Sequence, residues 1–203
     1  MECTGARLHL FPSALYYICI MESISLPTRF VQPDVVTTQF HIRPGDTVAD
    51  FGAGSGYFLP AVAEATGPEG KVYVCEIQKG LIEKLGEHVR TAGWAHVVPV
   101  WGDVEAAEGV AIPPESVDVA MLVNTFFLFE DTQAALATID RTLRPGGKLC
   151  LVDWSESFAG LGPSPEMVVV KHDAIDTLET FGYTLETEFP AGEHHYGLAF
   201  RKP

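Results

Sequence analysis

Thr47-Val48-Ala49-Asp50-Phe51-Gly52-Ala53-Gly54-Ser55-Gly56 decides how the rest of this chain is read. A short apolar run with an acidic end, followed by glycines at alternate positions, predicts a strand that turns sharply into a helix. Bare backbone at such a turn lets the polar groups of a nucleotide-type cofactor come against the chain, and the helix start offers unpaired N–H groups. Gly52 would allow the turn, Gly54 would leave room for a ligand, and Gly56 would let the following helix sit close to the sheet.

Outward from this turn, strand-like and helix-like stretches alternate, the pattern of a mainly parallel sheet covered on both faces. Thr47 to Phe51 is the first strand, Tyr57 to Ala63 a helix with Pro60 in its first turn, and Lys71 to Ile77 the second strand. Gln78 to Ala92 carries Leu81, Ile82, Leu85 and Val89 at helical spacing. His96 to Trp101 is a third strand, and the nearly continuous apolar run Val117 to Val123 reads as a central one. Glu130 to Leu143 reads as a helix stopped by the turn Arg144-Pro145-Gly146-Gly147, and Lys148 to Asp153 as the fifth strand. A Gly-, Pro- and Ser-rich loop runs from Trp154 to Pro165, then a helix from Glu166 to Phe181. Tyr183 to Phe189 and His195 to Arg201, around Gly192, predict an antiparallel hairpin at the sheet edge.

Composition bounds the partners. The 203 residues, 47% hydrophobic and 20% charged, suffice for one sizeable core. A formal net charge of -14 repels phosphate backbones, so a nucleic-acid substrate is disfavoured. Cys3, Cys19, Cys75 and Cys150 match neither zinc-ligand spacing nor a disulfide framework, and Cys75 and Cys150 read as buried core thiols. The adjacent pair His194-His195 reads as a solvated turn, and no metal is assigned.

Leu8 to Met21 is apolar but too short for a membrane span, and it lacks a clear secretory pattern. The expectation is a cytoplasmic chain without stable membrane insertion, in which residues 1 to 20 are an extension and Met21 an alternative start. Residues 21 to 46 then form a lead or lid segment, and residues 47 to 203 the cofactor-binding domain. Oligomeric state is not legible.

Two further carboxylates sharpen the glycine turn. Glu76 ends the second strand, 20 residues beyond Gly56, where an acidic group can accept both hydroxyl protons of a ribose. Asp103 ends the third strand, where it can accept a proton from an adenine amino group. Three consecutive strand tips carrying Asp50, Glu76 and Asp103 converge at the switch point of such a sheet and read as an adenosine site.

In that order and spacing, Asp50 to Gly56, Glu76, Gly102-Asp103, Val117-Asp118 with the strand to Asn124, and Leu143-Arg-Pro-Gly-Gly-Lys148 resemble the class I S-adenosylmethionine-dependent methyltransferases. The resemblance covers roughly residues 30 to 203. Asn124 to Asp131 and Asp153 to Pro165 look closest to small methyltransferases of the ubiquinone/menaquinone-biosynthesis type. The resemblance implies a Rossmann-like three-layer α/β sandwich, with a seven-stranded, mostly parallel sheet and one antiparallel strand in a C-terminal hairpin. It implies S-adenosylmethionine as cofactor, S-adenosylhomocysteine as product and a small-molecule acceptor. Asp50, Gly52 and Gly54 would line the methionine end, with Ala53 and Gly56 also in the cofactor-binding set, Glu76 would hold the ribose, Asp103 and Val104 the adenine, and Asn124 would border the methyl group and the acceptor. Phe127 and Trp154 are acceptor-side candidates, followed by Asp153, His172 and the loop Glu156 to Pro165. Arg29, in Leu26-Pro27-Thr28-Arg29-Phe30, is placed to meet the methionine carboxylate if that segment folds over the cofactor.

One departure bears on mechanism. Many relatives carry a histidine after the fourth strand, whereas this chain reads Asn124-Thr125-Phe126-Phe127-Leu128-Phe129, so no catalytic base is evident. Two other readings of the glycine loop remain: a cofactor-binding regulatory subunit without transfer activity, and a nicotinamide-dependent oxidoreductase. The second is weakened because its loops usually read G-x-G-x-x-G, with the third glycine one residue later.

Overall fold

Period-two alternation sets the two faces of the sheet. Along β1 (Thr47–Phe51), Val48 goes to one core cluster while Ala49 and Phe51 go to the other; β4 (Val117–Val123) repeats this with Val119 and Met121 against Ala120 and Leu122. Both sets are buried, which is why these strands read as continuous hydrophobe. The computed structural model describes residues 30–158, 160 and 162–203.

The remaining strands are β2 (Lys71–Glu76), β3 (Val97–Trp101), β5 (Leu143–Trp154), β6 (Thr184–Pro190) and β7 (His195–Arg201). They form a seven-stranded sheet in the order β3-β2-β1-β4-β5-β7-β6. From β3 to β5 all pairs are parallel, and β7 runs antiparallel to both β5 and β6. The chain leaves β1 for β2 and β3 on one side and returns to β4 on the other, so a crevice opens at the strand tips between β1 and β4.

Helices α1 (Pro33–Phe40), α2 (Leu59–Thr66) and α3 (Lys79–Ala92) cover one face through Val36, Phe40, Leu59, Val62, Leu85 and Val89. Helices α4 (Thr132–Thr142) and α5 (Lys171–Phe181) cover the other through Leu136, Ile139, Ala174 and Leu178. The three-layer sandwich expected from the sequence is the fold observed. Among the described residues no helix is long and apolar enough to cross a membrane.

Several boundaries differ from the sequence reading, each for a local reason. Helix α1 was absent from it; residues Pro33–Phe40 form a helix that sinks Val36 and Phe40 into the core, so this part of the lead segment is structural. The turn Arg144 to Gly147 lies within β5, because Leu143 already pairs with Val117 before a register shift lets Lys148 pair with Val119. Helix α4 starts at Thr132, after Asp131 accepts a hydrogen bond from the Ala134 N–H at 3.0 Å as its cap. The helix expected from Glu166 begins only at Lys171, since Pro165–Met167 is a single 3-10 turn and Val170 is extended. In the hairpin β6 holds the edge and β7 lies inside the sheet. Cys75 and Cys150 are buried free thiols, and burial raises the pKa of both.

Candidate active site

The switch point places a cavity of about 1120 Å3 above the strand tips. Its wall on one side comes from the ends of β1, β2 and β3: Asp50, Gly52, Ala53 and Gly54, then Glu76, then Asp103 with Val104. Asn124, Trp154 and His195, from the ends of β4 and β5 and the start of β7, contribute the other side. Of the residues expected at the site, Gly56 and Phe127 do not line it.

The glycine turn is held by the neighbouring strand. The Gly52 and Ala53 N–H groups both donate to the Cys75 carbonyl, at 3.0 and 2.9 Å. Gly52 has φ +82°, and a Cβ there would stand 2.6 Å from Thr125 Cγ2, so the loops after β1 and β4 touch at a glycine. Gly54 faces open space, and its N–H donates to Glu76 Oε2 at 3.0 Å. Gly56 serves packing: a Cβ there would meet Leu85 Cδ2 of α3 at 2.6 Å, which keeps it off the cavity wall.

Glu76 is 5% exposed and uses both oxygens on backbone, since Oε1 also accepts from the Gln78 N–H at 2.7 Å. A carboxylate has about four acceptor positions, so room for further donors remains. Asp103 accepts from the Glu105 N–H at 2.9 Å through Oδ1. Asp50 is buried at the floor; loss of solvent, reinforced by the Glu76 charge, pushes its pKa up to about 7. Asn124 sits in the left-handed region at φ 55°, with its Oδ1 buried and unpartnered among the described residues.

Phe127 does not line the cavity, and its N–H donates to Asp153 Oδ2 at 3.2 Å. Asp153 is buried behind the wall and also accepts from the Trp154 N–H at 2.8 Å, so it fixes the β4 loop against β5; burial pushes its pKa up to about 6. Leu128 and Phe129 line the cavity where Phe127 was expected. Trp154 lies under the backbone of Gly162, where a Cβ would come 2.4 Å from the indole Cε2. His172 is remote, exposed on α5 beside Asp176. Arg29 lies outside the described residues, whereas its neighbour Phe30 lines the cavity with Val31.

The largest miss concerns His194 and His195, which are buried, at 8% and 6% exposure. The register of β5 and β7 sets Trp154 opposite His195, and the two rings stand 4.2 Å apart between centroids. His194 Nδ1 lies 2.8 Å from Glu156 Oε1, and its ring stacks on Phe158 at 3.8 Å. The adjacent histidines were visible in the sequence, but the antiparallel register that buries them was not. Among the described residues no group of three or more His, Cys, Asp or Glu is arranged to hold a metal ion.

Residues 49–151 match the family model described as a methyltransferase domain. The ubiquinone/menaquinone biosynthesis C-methyltransferase of Cupriavidus metallidurans is 26% identical over 123 residues, 61% of this chain and 49% of that protein. The protein-L-isoaspartate O-methyltransferase of Ignicoccus hospitalis is 36% identical over 78 residues, 38% of this chain and 37% of that protein. The crystal structure of an S-adenosylmethionine-dependent methyltransferase from Aquifex aeolicus superposes with a TM-score of 0.79 at 24% identity, covering 91% of this chain and 98% of that one. The chain spans about half the length of the ubiquinone/menaquinone-type relative it matches and 37% of the isoaspartate-type one.

Proposed function

The chain belongs to the class I S-adenosylmethionine-dependent methyltransferases, and from that premise we propose that it moves a methyl group from S-adenosylmethionine to a small-molecule acceptor by in-line displacement. The observation that carries this reading is the convergence of Asp50, Glu76 and Asp103 from three adjacent strand tips onto one cavity wall, beside the open backbone of Gly54. The donor set fits the cofactor: carboxylates at the tips of β2 and β3 accept hydroxyl and amino protons, and a buried carboxyl at the floor answers a cation.

Glu76 would hold the ribose hydroxyls while Gly54 and Gln78 keep its carboxylate oriented. Asp103 and the Val104 backbone would hold the adenine, with Asp103 fixed by the Glu105 N–H. Asp50 and the Gly52 to Gly54 backbone would line the methionine end, and Asn124 would border the transferred methyl. When bound, the cofactor supplies an electrophilic methyl on a sulfonium that leaves as a neutral thioether. This chain's residues therefore act by alignment and exclusion of water, effects that can supply up to roughly 7 to 11 kcal/mol. Phe30, Phe58, Leu128, Phe129 and Trp154 give the cavity its apolar wall.

Asp50 makes the site sensitive to pH. Its carboxyl is half protonated near pH 7 in the free protein, and a cationic group beside it favours the ionised form. Binding near neutrality therefore releases a proton. Calorimetric titration with S-adenosylmethionine and with S-adenosylhomocysteine, repeated in buffers of different ionisation enthalpy, reads both affinity and proton release. Saturable binding of each ligand is expected; binding of neither overturns the assignment.

A further inference from the structure

The acceptor side of the cavity holds a polar group with nothing to do. His195 opens β7, is 6% exposed, lines the cavity and has no hydrogen-bond partner for either Nδ1 or Nε2 among the described residues. A buried imidazole with both nitrogens idle is unusual, because buried polar atoms nearly always find partners. The neighbouring His194 differs in that its Nδ1 is engaged by Glu156, although its Nε2 is likewise buried without a partner among the described residues. Asn124 Oδ1, two strands away on the same wall, is likewise buried and unpartnered among the described residues.

We propose that His195 is an acceptor-binding residue, and that the acceptor is an uncharged, largely apolar molecule presenting a hydroxyl group to its imidazole. The inference rests on the methyltransferase reading of the cavity. A neutral imidazole offers one N–H donor and one lone pair, a pair of functions that a hydroxyl group answers with its own lone pair and proton. Desolvation, with a smaller contribution from His194, lowers the His195 pKa to about 4, so the ring is neutral at physiological pH. It therefore supplies no cation for a carboxylate or phosphate acceptor. To an ammonium group the imidazole offers a single acceptor lone pair in place of the hydration lost on entering the site. Trp154 fixes the imidazole plane by ring contact from one side. The sequence offered no acceptor-side histidine after β4, and the antiparallel insertion of β7 brings one to the cavity from a different strand.

Three probes with one ring system separate the alternatives: 1-naphthol, 1-naphthoate and 1-naphthylmethylammonium, titrated by naphthalene fluorescence into the full chain with and without S-adenosylhomocysteine. The neutral probe is expected to bind about tenfold or more tighter than either charged one. His195→Phe keeps a ring against Trp154 but removes both nitrogens, and it should erase that preference while leaving S-adenosylhomocysteine affinity within about twofold. His195→Asn retains a donor and an acceptor, should restore part of the preference, and serves if the Phe variant fails to fold. Tightest binding of a charged probe, an unchanged preference in both variants, or binding of none of the three overturns the proposal. Failure of the wild-type protein to bind S-adenosylhomocysteine counts instead against the methyltransferase reading, and the cofactor-free titrations still decide the role of His195.

Discussion

The β1–β3 half of the cavity and the β4–β5–β7 half are built on different principles. In the first, each polar group stands at or just past a strand end and is followed by its own turn: Asp50 by the glycines, Glu76 by Gln78, Asp103 by Glu105. The carboxylates of Glu76 and Asp103 are oriented by backbone N–H groups within two residues or on the adjacent strand tip. In the second, the wall is rich in aromatic side chains and its arrangement depends on contacts between separate segments: Asp153 anchors the Phe127 backbone, Gly162 covers Trp154, and β7 delivers His195. A locally encoded half suits a ligand that never changes, and a half assembled from distant segments can be altered without disturbing it.

The strongest way to break this division is at the seam where the halves touch. Gly52→Ala forces a side chain into φ +82° and against Thr125, and is expected to cost roughly 2 to 4 kcal/mol of stability in urea denaturation. Adding Thr125→Ala relieves the collision and should recover about half of that; no recovery would mean that the two loops do not bear on each other. On the cofactor side alone, Glu76→Ala should weaken S-adenosylhomocysteine binding by about 1 to 3 kcal/mol. Trp154→Phe, across the seam, should shift the same affinity by less than about 0.5 kcal/mol; equal losses would erase the distinction.

Asp50 gives a smaller and pH-dependent effect. Because its folded pKa lies above the ordinary carboxylate value, its ionisation costs the free protein stability as pH rises from about 4 through 7, and a cationic ligand repays part of that cost. Between about pH 6 and pH 8 the affinity for the sulfonium cation S-adenosylmethionine should therefore rise, by at most about tenfold, and Asp50→Asn should flatten the rise. A fall in affinity over this range would contradict the assigned role. The smallest effect belongs to His172, exposed on α5 beside Asp176. His172→Ala should change stability by less than about 0.5 kcal/mol and leave cofactor affinity untouched, as measured by thermal melting and titration.

What was legible in the sequence follows the same line. Strand identity and order could be read because both sheet faces are buried and because Gly and Pro punctuate the chain between Phe51 and Gly147. The wall residues Asp50, Gly52, Gly54, Glu76, Asp103 and Asn124 were found from spacing because each marks a strand tip. Leu128 and Phe129 line the cavity and Phe127 of the same loop does not; the Phe127 N–H is held by Asp153, a buried carboxylate 26 residues away that leaves no local pattern. Gly56 was read both as a packing glycine and as a cofactor residue, and its close contacts with Leu85 and Leu59 agree with the packing role. His195 was taken for a turn residue because its burial comes from pairing with β5 and a tilted ring contact with Trp154, neither of which leaves a local pattern.

Backbone-amide NMR of the full chain during titration with S-adenosylhomocysteine tests the central claim most directly, since it locates the ligand without presupposing an acceptor. The account predicts saturable shifts concentrated at Gly54, Gln78, Val104 and Asn124 on the cavity wall, with the depression lined by Gly93 to His96 unmoved. Shifts centred on Gly93 to His96, or a spectrum that does not change, would contradict it.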